Sequence, residues 1–216
     1  MVRVESVSAP GPAVTRTARV QRQTRETDIV VDLDLDGPLP GAAGSASATG
    51  IDTPLPFFSH MLEQLGRHGG FGLSVVAKGD THIDGHHTVE DTGIVLGEAF
   101  AKALGDKRGI ARYGWATLPM DEARVSVSLD LSGRTYFVWE SDLPKSKIGE
   151  FDVELAEVFF EAFARGAGCN LHVVKEAGKN LHHIVEITFK AFAKALAQAT
   201  RKDPRATDIP STKGVL

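Results

Sequence analysis

Cysteine is nearly absent from this sequence: Cys169 is the only one among 216 residues. No disulfide can form within the chain, so a reducing compartment is the default expectation. No apolar run approaches the roughly 20 residues that span a bilayer. Residues 1–15 lack the continuous apolar segment of a signal peptide. These absences predict a cytoplasmic protein with no membrane partner.

The sequence also lacks a strong excess of either charge. Its 24 Lys and Arg against 28 Asp and Glu give a net charge of −4, which does not predict a nucleic-acid partner. Hydrophobic residues make up 42% and charged residues 24%, as in ordinary globular proteins. The length is sufficient for one large domain or two small ones with a sizeable core.

Against this ordinary background, one short motif occurs twice. His86-His87-Thr88-Val89-Glu90 is repeated as His182-His183-Ile184-Val185-Glu186, about 96 residues later. The segment Ala99–Leu104 likewise matches Ala191–Leu196. An internal duplication explains these matches together.

Each half predicts the order strand, strand, helix, strand, helix. In the second half, residues 151–165 and 182–200 are the predicted helices. The fold class is therefore α+β, with two β-β-α-β-α halves, each an antiparallel sheet backed by two helices. We expect a disordered tail (1–17), two halves (18–108 and 109–205), a simple inserted loop (37–50) and a C-terminal tail (206–216).

The repeated motif has the composition of a metal site. Adjacent residues on a helix diverge by about 100°, whereas residues three or four apart share a face. His86 and His87 should therefore serve two different ions, with Glu90 beside one of them, and the second copy should do the same. Imidazole and carboxylate ligands suit Mn, Fe, Ni or Zn better than Ca or Mg. The alternative is that these histidines only pack or begin helices.

Other polar residues extend this candidate site. His60 is a further candidate ligand on the preceding helix, and His68 follows it. Arg112 and Arg134 lie at strand or turn positions, and the C-terminal tail carries Ser211, Thr212 and Lys213. Cationic and hydroxyl groups of this kind predict a phosphate or carboxylate pocket.

Together these motifs resemble those of the imidazoleglycerol-phosphate dehydratase family, from about Arg19 to Leu216. The resemblance is carried by Arg25-Glu26-Thr27, His60-Met61-Leu62-Glu63-Gln64, Gly79-Asp80, His86–Thr92, Pro119–Glu122, Asp130–Arg134, His182–Glu186 with Phe189-Lys190-Ala191, and Pro210–Gly214.

The resemblance implies dehydration of D-erythro-imidazoleglycerol phosphate to imidazole-acetol phosphate in histidine biosynthesis, through an imidazolate bridged by two Mn²⁺ ions per site. It implies halves like the second domain of ribosomal protein S5, and a homo-oligomer of 24 subunits built from trimers. The implied metal ligands are His60, His86, His87, Glu90, His182, His183 and Glu186. Glu26, Glu90 and Glu186 are the implied catalytic acids, with Glu26 as the proton shuttle. The implied substrate contacts are Glu26, Gln64, His68, Arg112, Arg134, Lys190, Ser211, Thr212 and Lys213.

One position departs from the pattern of some relatives. Val158 stands where the second half would carry the counterpart of His60, and valine cannot bind a metal. Two other function classes stay open from the residues alone: a dinuclear metallohydrolase, and a metal-binding assembly without catalysis.

Overall fold

The computed structural model describes residues 15–37 and 50–216. The predicted N-terminal tail up to residue 14 and the predicted inserted loop from 38 to 49 lie outside the described residues. The first half contains β1 (Thr17–Gln23), β2 (Thr27–Asp34), β3 (Ile51–Asp52), α1 (Pro56–Gly69), β4 (Gly72–Gly79) and α2 (His86–Leu104). The second half contains β5 (Tyr113–Met120), β6 (Ala123–Asp130), β7 (Tyr136–Glu140), β8 (Lys147–Ile148), β9 (Phe151–Asp152), α3 (Leu155–Ala167), β10 (Asn170–Ala177) and α4 (Leu181–Thr200).

The two large sheets share one topology. The strand order is β1-β2-β4-β3 in the first and β5-β6-β10-β7 in the second. Neighbouring strands are antiparallel except at one edge of each sheet, where β3 and β7 run parallel to β4 and β10. The predicted duplicated α+β fold is confirmed, with a parallel edge strand added to each half. The sequence pattern did not reveal β3, because two residues are too short to show an alternation.

Helix α1 shows how the apolar spacing produces these elements. Phe58, Met61, Leu62 and Leu65 are all fully buried, and their spacing of three and four residues places them on one face. The helix ends at Gly70, whose φ of 73° is left-handed, and its N–H donates to the carbonyl of Gly66. The opposite face of α1 is left free for polar side chains.

The predicted helix at 151–165 begins too early. Phe151 belongs to the short hairpin of β8 and β9, and α3 starts only at Leu155. The Phe151 ring is buried against Phe57 and Phe58, at centroid distances of 5.4 and 6.1 Å. Phe151 and Leu155 are four residues apart, so their spacing imitates a helix although tertiary packing decides the backbone.

The helices pack across the two halves: α1 against α4, and α2 against α3. Glycines allow the second pair to approach closely. A Cβ added at Gly97 would lie 2.5 Å from the Phe163 carbonyl oxygen, and one at Gly166 would lie 2.3 Å from that of Ile94. Among the described residues, no helix is both long and apolar enough to cross a bilayer. The cross-half pairing places side chains of one half beside the motif of the other.

Candidate metal and substrate site

Both His-His motifs lie at the start of a helix. The Asn180 side chain accepts the backbone N–H groups of His182 and His183 at 3.0 and 3.4 Å. In the first half, Asp84 accepts the N–H of His86 at 2.8 Å. The two rings of each pair have centroids 6.0 and 6.2 Å apart, with interplanar angles of 88° and 82°. The rings of each pair are therefore nearly perpendicular, and in the second pair His182 contacts Glu186 while His183 contacts Glu122.

Glu186 is the centre of the first group of site residues, between α1 and α4. Its carboxylate lies 3.0 Å from His182 Nε2, 3.9 Å from His60 Nε2 and 2.7 Å from Lys190 Nζ. Only 8% of the Glu186 side chain is exposed. Burial opposes its ionisation, but the hydrogen bond and charge of Lys190 outweigh burial and lower the pKa of Glu186. The structure thus joins His60 of one half to the motif of the other half.

Gln64 and His68 continue this group along α1. His68 Nε2 lies 3.0 Å from Gln64 Oε1, and Gln64 Nε2 lies 3.4 Å from ring nitrogens of His60. Burial and the positive charge of Lys190 lower the pKa of His68 below its ordinary value. The lowered pKa favours the neutral form of His68, whose ring can donate a hydrogen bond to a polar ligand beside Lys190 or accept one from it.

His87 forms the second group, with carboxylates on both sides. Its Nδ1 lies 3.0 Å from Asp80 Oδ2 and 3.8 Å from Glu26 Oε2. One ligand atom from each of the three residues lies within 4.8 Å of the others. Asp80 Oδ1 is buried and has no hydrogen-bond partner among the described residues. A cavity of about 380 Å³ adjoins Glu26 and Asp80. This group has the donor types and an unsatisfied oxygen that suit a divalent cation.

The turn that carries Glu26 is fixed to α2. Asp91, which is buried in α2, accepts hydrogen bonds from Arg22 Nε at 2.9 Å and from Thr27 Oγ1. Arg22 precedes the turn and Thr27 follows it, so both ends of the turn are tied to the helix that begins with His86. The Glu26 side chain itself stays 56% exposed.

His183 forms the third group, on the corresponding turn of the second half. Its Nδ1 lies 2.8 Å from Glu122 Oε2, and its Nε2 lies 3.6 Å from Asp121 Oδ2. Glu122 Oε1 accepts the backbone N–H groups of Lys179 and Asn180 at 3.1 and 2.7 Å. The hydrogen bond from His183 and those from the backbone lower the pKa of Glu122 to about 2. Glu122 therefore ties the β5–β6 turn to the start of α4.

Sequence reasoning missed Asp80, Asp121 and Glu122 as partners of the motif histidines. Glu122 could have been found, because it follows Glu26 at the same spacing of about 96 residues as the two motifs. Asp80 belongs to the Gly79-Asp80 motif, but its contact with His87 could not be predicted, because it depends on the loop between β4 and α2.

Glu90 and His86 behave differently from their second-half counterparts. Arg165 of α3 donates to Glu90 Oε1 at 2.8 Å, whereas Glu186 contacts its own histidine and lysine. His86 is exposed at the start of α2. On one chain, therefore, the seven predicted ligands fall into separate groups. The two halves are inequivalent both here and at Val158.

The residues predicted to bind phosphate lie around one end of the second sheet, where β6 ends and β5 and β7 begin. Arg112 donates hydrogen bonds to Asp130 and to the carbonyl of Pro210, the residue just before the Ser211–Lys213 segment. Arg134 is exposed and follows Gly133 in a turn, where the φ of Gly133 is 78°. The C-terminus packs closely on this turn, because a Cβ added at Gly133 would lie 2.9 Å from the carbonyl carbon of Leu216. The arginine, the turn and the tail thus share one region.

Comparison with known proteins shows which family the chain belongs to. A sequence model described as imidazoleglycerol-phosphate dehydratase matches residues 53–196. The chain belongs to the imidazoleglycerol-phosphate dehydratase family. The enzyme of that name from Gluconacetobacter diazotrophicus is 57% identical over 202 residues, which cover 93% of this chain and 98% of the relative.

Two solved structures of imidazoleglycerol-phosphate dehydratases share the fold. The enzyme from Staphylococcus aureus is 34% identical with a TM-score of 0.74, covering 87% of this chain and 99% of that one. The enzyme from Pyrococcus furiosus, in complex with (S)-C348, is 34% identical with a TM-score of 0.75, covering 91% and 100%. The family decides between the sequence-based alternatives: the chain is a hydro-lyase of histidine biosynthesis rather than a metallohydrolase or a metal-binding assembly without catalysis.

Proposed function

We propose that this member of the imidazoleglycerol-phosphate dehydratase family works with two Mn²⁺ ions per site, held by the histidines and carboxylates of its two repeated motifs. The observation that carries the proposal is the pair of imidazole–carboxylate groups, one around Glu186 and one around His87. Their nitrogen and oxygen donors fit Mn²⁺, and the unpartnered buried oxygen of Asp80 marks a place where a cation would be favourable.

The residues that would hold the metal are those implied by the resemblance: His60, His86, His87, Glu90, His182, His183 and Glu186. Bound cations would supply Lewis-acid stabilisation of the imidazole ring of the substrate in its anionic form. Asp80 and Glu122 lie against Nδ1 of His87 and His183, and these carboxylates would orient the two rings for metal binding.

Glu26 is the residue we assign to proton transfer. Dehydration removes the hydroxyl group from the carbon attached to the ring and a proton from the next carbon, and the resulting enol becomes the ketone. A carboxylate that is exposed, and lies 3.8 Å from a proposed metal ligand, can take up that proton beside the bound substrate. Gln64, His68 and Lys190 line the other group and would orient the substrate.

The phosphate of the substrate would be held at the end of the second sheet where β6 ends and β5 and β7 begin. Arg112 uses three of its five N–H donors on Asp130 and Pro210, which leaves two for phosphate oxygens. Arg134, Ser211, Thr212 and Lys213 would add charge and hydroxyl donors from the adjoining turn and tail.

Separate ligand groups on one chain support a homo-oligomer, in which copies complete one another's sites. The resemblance sets the expected form at 24 subunits built from trimers. Tyr113, Trp115 and Tyr136 lie on the second sheet and are 53%, 64% and 63% exposed, as expected of a surface that another copy covers.

The test is turnover by the purified chain with and without metal. The chain is stripped of metal and given imidazoleglycerol phosphate, and formation of imidazole-acetol phosphate is followed before and after Mn²⁺ is added. Turnover that requires Mn²⁺ supports the proposal. Equal turnover by the metal-free chain would contradict it.

A further inference from the structure

Arg112 has an unusual and strongly constrained backbone. Its φ of 71° lies in the left-handed region, which a residue with a long side chain rarely occupies. Its N–H donates to the Ala199 carbonyl at 2.9 Å, and its own carbonyl accepts the N–H of Leu131 at 3.1 Å. The strained conformation is thus maintained by hydrogen bonds from α4 and from the end of β6. It fixes the direction in which the arginine side chain leaves the backbone.

Asp130 then fixes the plane of the guanidinium. Arg112 Nε lies 2.7 Å from Asp130 Oδ1, and Nη2 lies 3.0 Å from Oδ2, which is a two-pronged ion pair. Both side chains are mostly buried, with 12% and 16% exposed. The remaining arm, Nη1, donates to the Pro210 carbonyl at 2.8 Å. The carboxylate of Asp130 therefore directs one arginine donor at the C-terminal tail.

The tail is attached to the body of the protein just before this contact, where the Asp208 carbonyl accepts the N–H of Gly109 at 3.0 Å. After the contact, the backbone N–H of Lys213 donates to Ser211 Oγ at 3.2 Å, a bond within the tail itself. The Arg112–Pro210 bond lies between these points, at the entrance to the Ser211–Lys213 segment.

The duplication supplies a natural control for this arrangement. Arg16 in the first half donates through Nε at 2.7 Å and through Nη2 to Asp36, and its carbonyl accepts the N–H of Leu35. Its third arm, Nη1, donates to the Thr200 carbonyl at the end of α4 rather than to a tail. Both arginines are therefore paired with an aspartate, but Arg16 uses Asp36, two residues beyond Asp34, the counterpart of Asp130. Only the pair in the second half holds the tail.

We propose that Asp130 is a positioning residue for phosphate recognition: it holds Arg112 so that Arg112 orders the Pro210–Lys213 segment against the substrate phosphate. This inference rests on the proposed function, because the segment is taken as part of the phosphate site. Asp130 acts through Arg112 and does not itself touch the substrate.

Kinetics of Asp130→Asn, with Asp36→Asn as the matched control, tests this role. Both variants remove one carboxylate charge from a paired arginine. We expect Asp130→Asn to raise the substrate KM about 10-fold, and the Ki of inorganic phosphate as a competitive inhibitor by the same factor, with kcat within about twofold. Asp36→Asn should leave KM and Ki unchanged. An unchanged KM in Asp130→Asn, or an equal rise in both variants, would overturn the proposal.

Limited trypsin digestion of the full-length protein gives a readout that does not depend on activity. Mass spectrometry measures the rate of cleavage after Arg205 and Lys213. We expect severalfold faster cleavage in Asp130→Asn and the wild-type rate in Asp36→Asn. Asp130→Glu, which keeps the charge, should fall between wild type and Asp130→Asn, and it replaces Asp130→Asn if that variant does not fold. An unchanged cleavage rate beside normal wild-type turnover overturns this proposal alone. Absence of wild-type turnover overturns the proposed function.

Discussion

Glu26 and Glu122 occupy equivalent hairpin turns about 96 residues apart, and each carboxylate faces the second histidine of a His-His pair. The distances to the histidine Nδ1 are 3.8 Å for Glu26 and 2.8 Å for Glu122. Glu122 also accepts two backbone N–H groups, whereas Glu26 is more than half exposed. The same position is thus a hydrogen-bonded tie in the second half, whereas in the first half the Glu26 carboxylate lies farther from its histidine.

Replacing Glu26 by Gln should lower kcat about 10²- to 10⁴-fold while metal remains bound, because an amide keeps the shape of the side chain but cannot accept the proton. Metal content by plasma spectrometry and steady-state kinetics check this together. Glu176→Gln is the control, since Glu176 pairs with Arg124 on the second sheet. An undiminished kcat in Glu26→Gln would remove this residue from the proton transfer.

Replacing His87 or His183 by Ala should lose both bound metal and turnover. Each ring has its Nδ1 against a carboxylate, so the change removes a nitrogen ligand that is already oriented. Calorimetric titration with Mn²⁺ measures the loss of affinity. His172→Ala removes an exposed imidazole outside these groups; because His172 stacks on Tyr136 at a centroid distance of 6.2 Å, light scattering must show that this control keeps its assembly. Full metal occupancy together with activity in either motif variant would refute the ligand assignment.

Chelation should abolish turnover and break up large assemblies, since the ligand groups of one chain are separate and metal would join them between copies. Light scattering and an activity assay follow both effects during treatment with a chelator. Adding Mn²⁺ should restore size and turnover, whereas Mg²⁺ should restore neither, because it prefers oxygen ligands. Activity that survives exhaustive chelation would rule out the metal mechanism.

Arg134→Ala should raise the substrate KM about 10- to 100-fold, the equivalent of one or two hydrogen bonds to a charged group. The guanidinium is exposed on a turn, so folding should be little affected. Thermal unfolding of the variant serves as the control for stability. A KM equal to that of the wild type would place the phosphate elsewhere.

The sequence predicted what depends on local pattern and on the repeat. Helix geometry predicts that His86 and His87 diverge, and in the structure their rings make an interplanar angle of 88°. Phe151 was misassigned because its spacing to Leu155 is helical, while its burial against Phe57 decides otherwise. The hydrogen bond from Arg112 to Pro210 could not be predicted either. It joins residues far apart in the chain, and only the fold brings them together.

Cys169 provides a prediction about pH. Burial raises the pKa of its thiol to about 12, from an ordinary value of 9.0. The unfolded state therefore loses its proton at lower pH than the folded state. The contribution of the protonated Cys169 thiol to the free energy of unfolding is fully present below about pH 9 and is lost as the pH rises towards 12. The urea concentration at the unfolding midpoint should fall from pH 8 to 11, and Cys169→Ala should make this fall with pH less steep.

The burial of Cys169 can also be checked by labelling. At pH 8 a disulfide reagent should label one thiol per chain in denaturant and none in the folded protein. Stoichiometric labelling of the folded protein would show that the thiol is accessible.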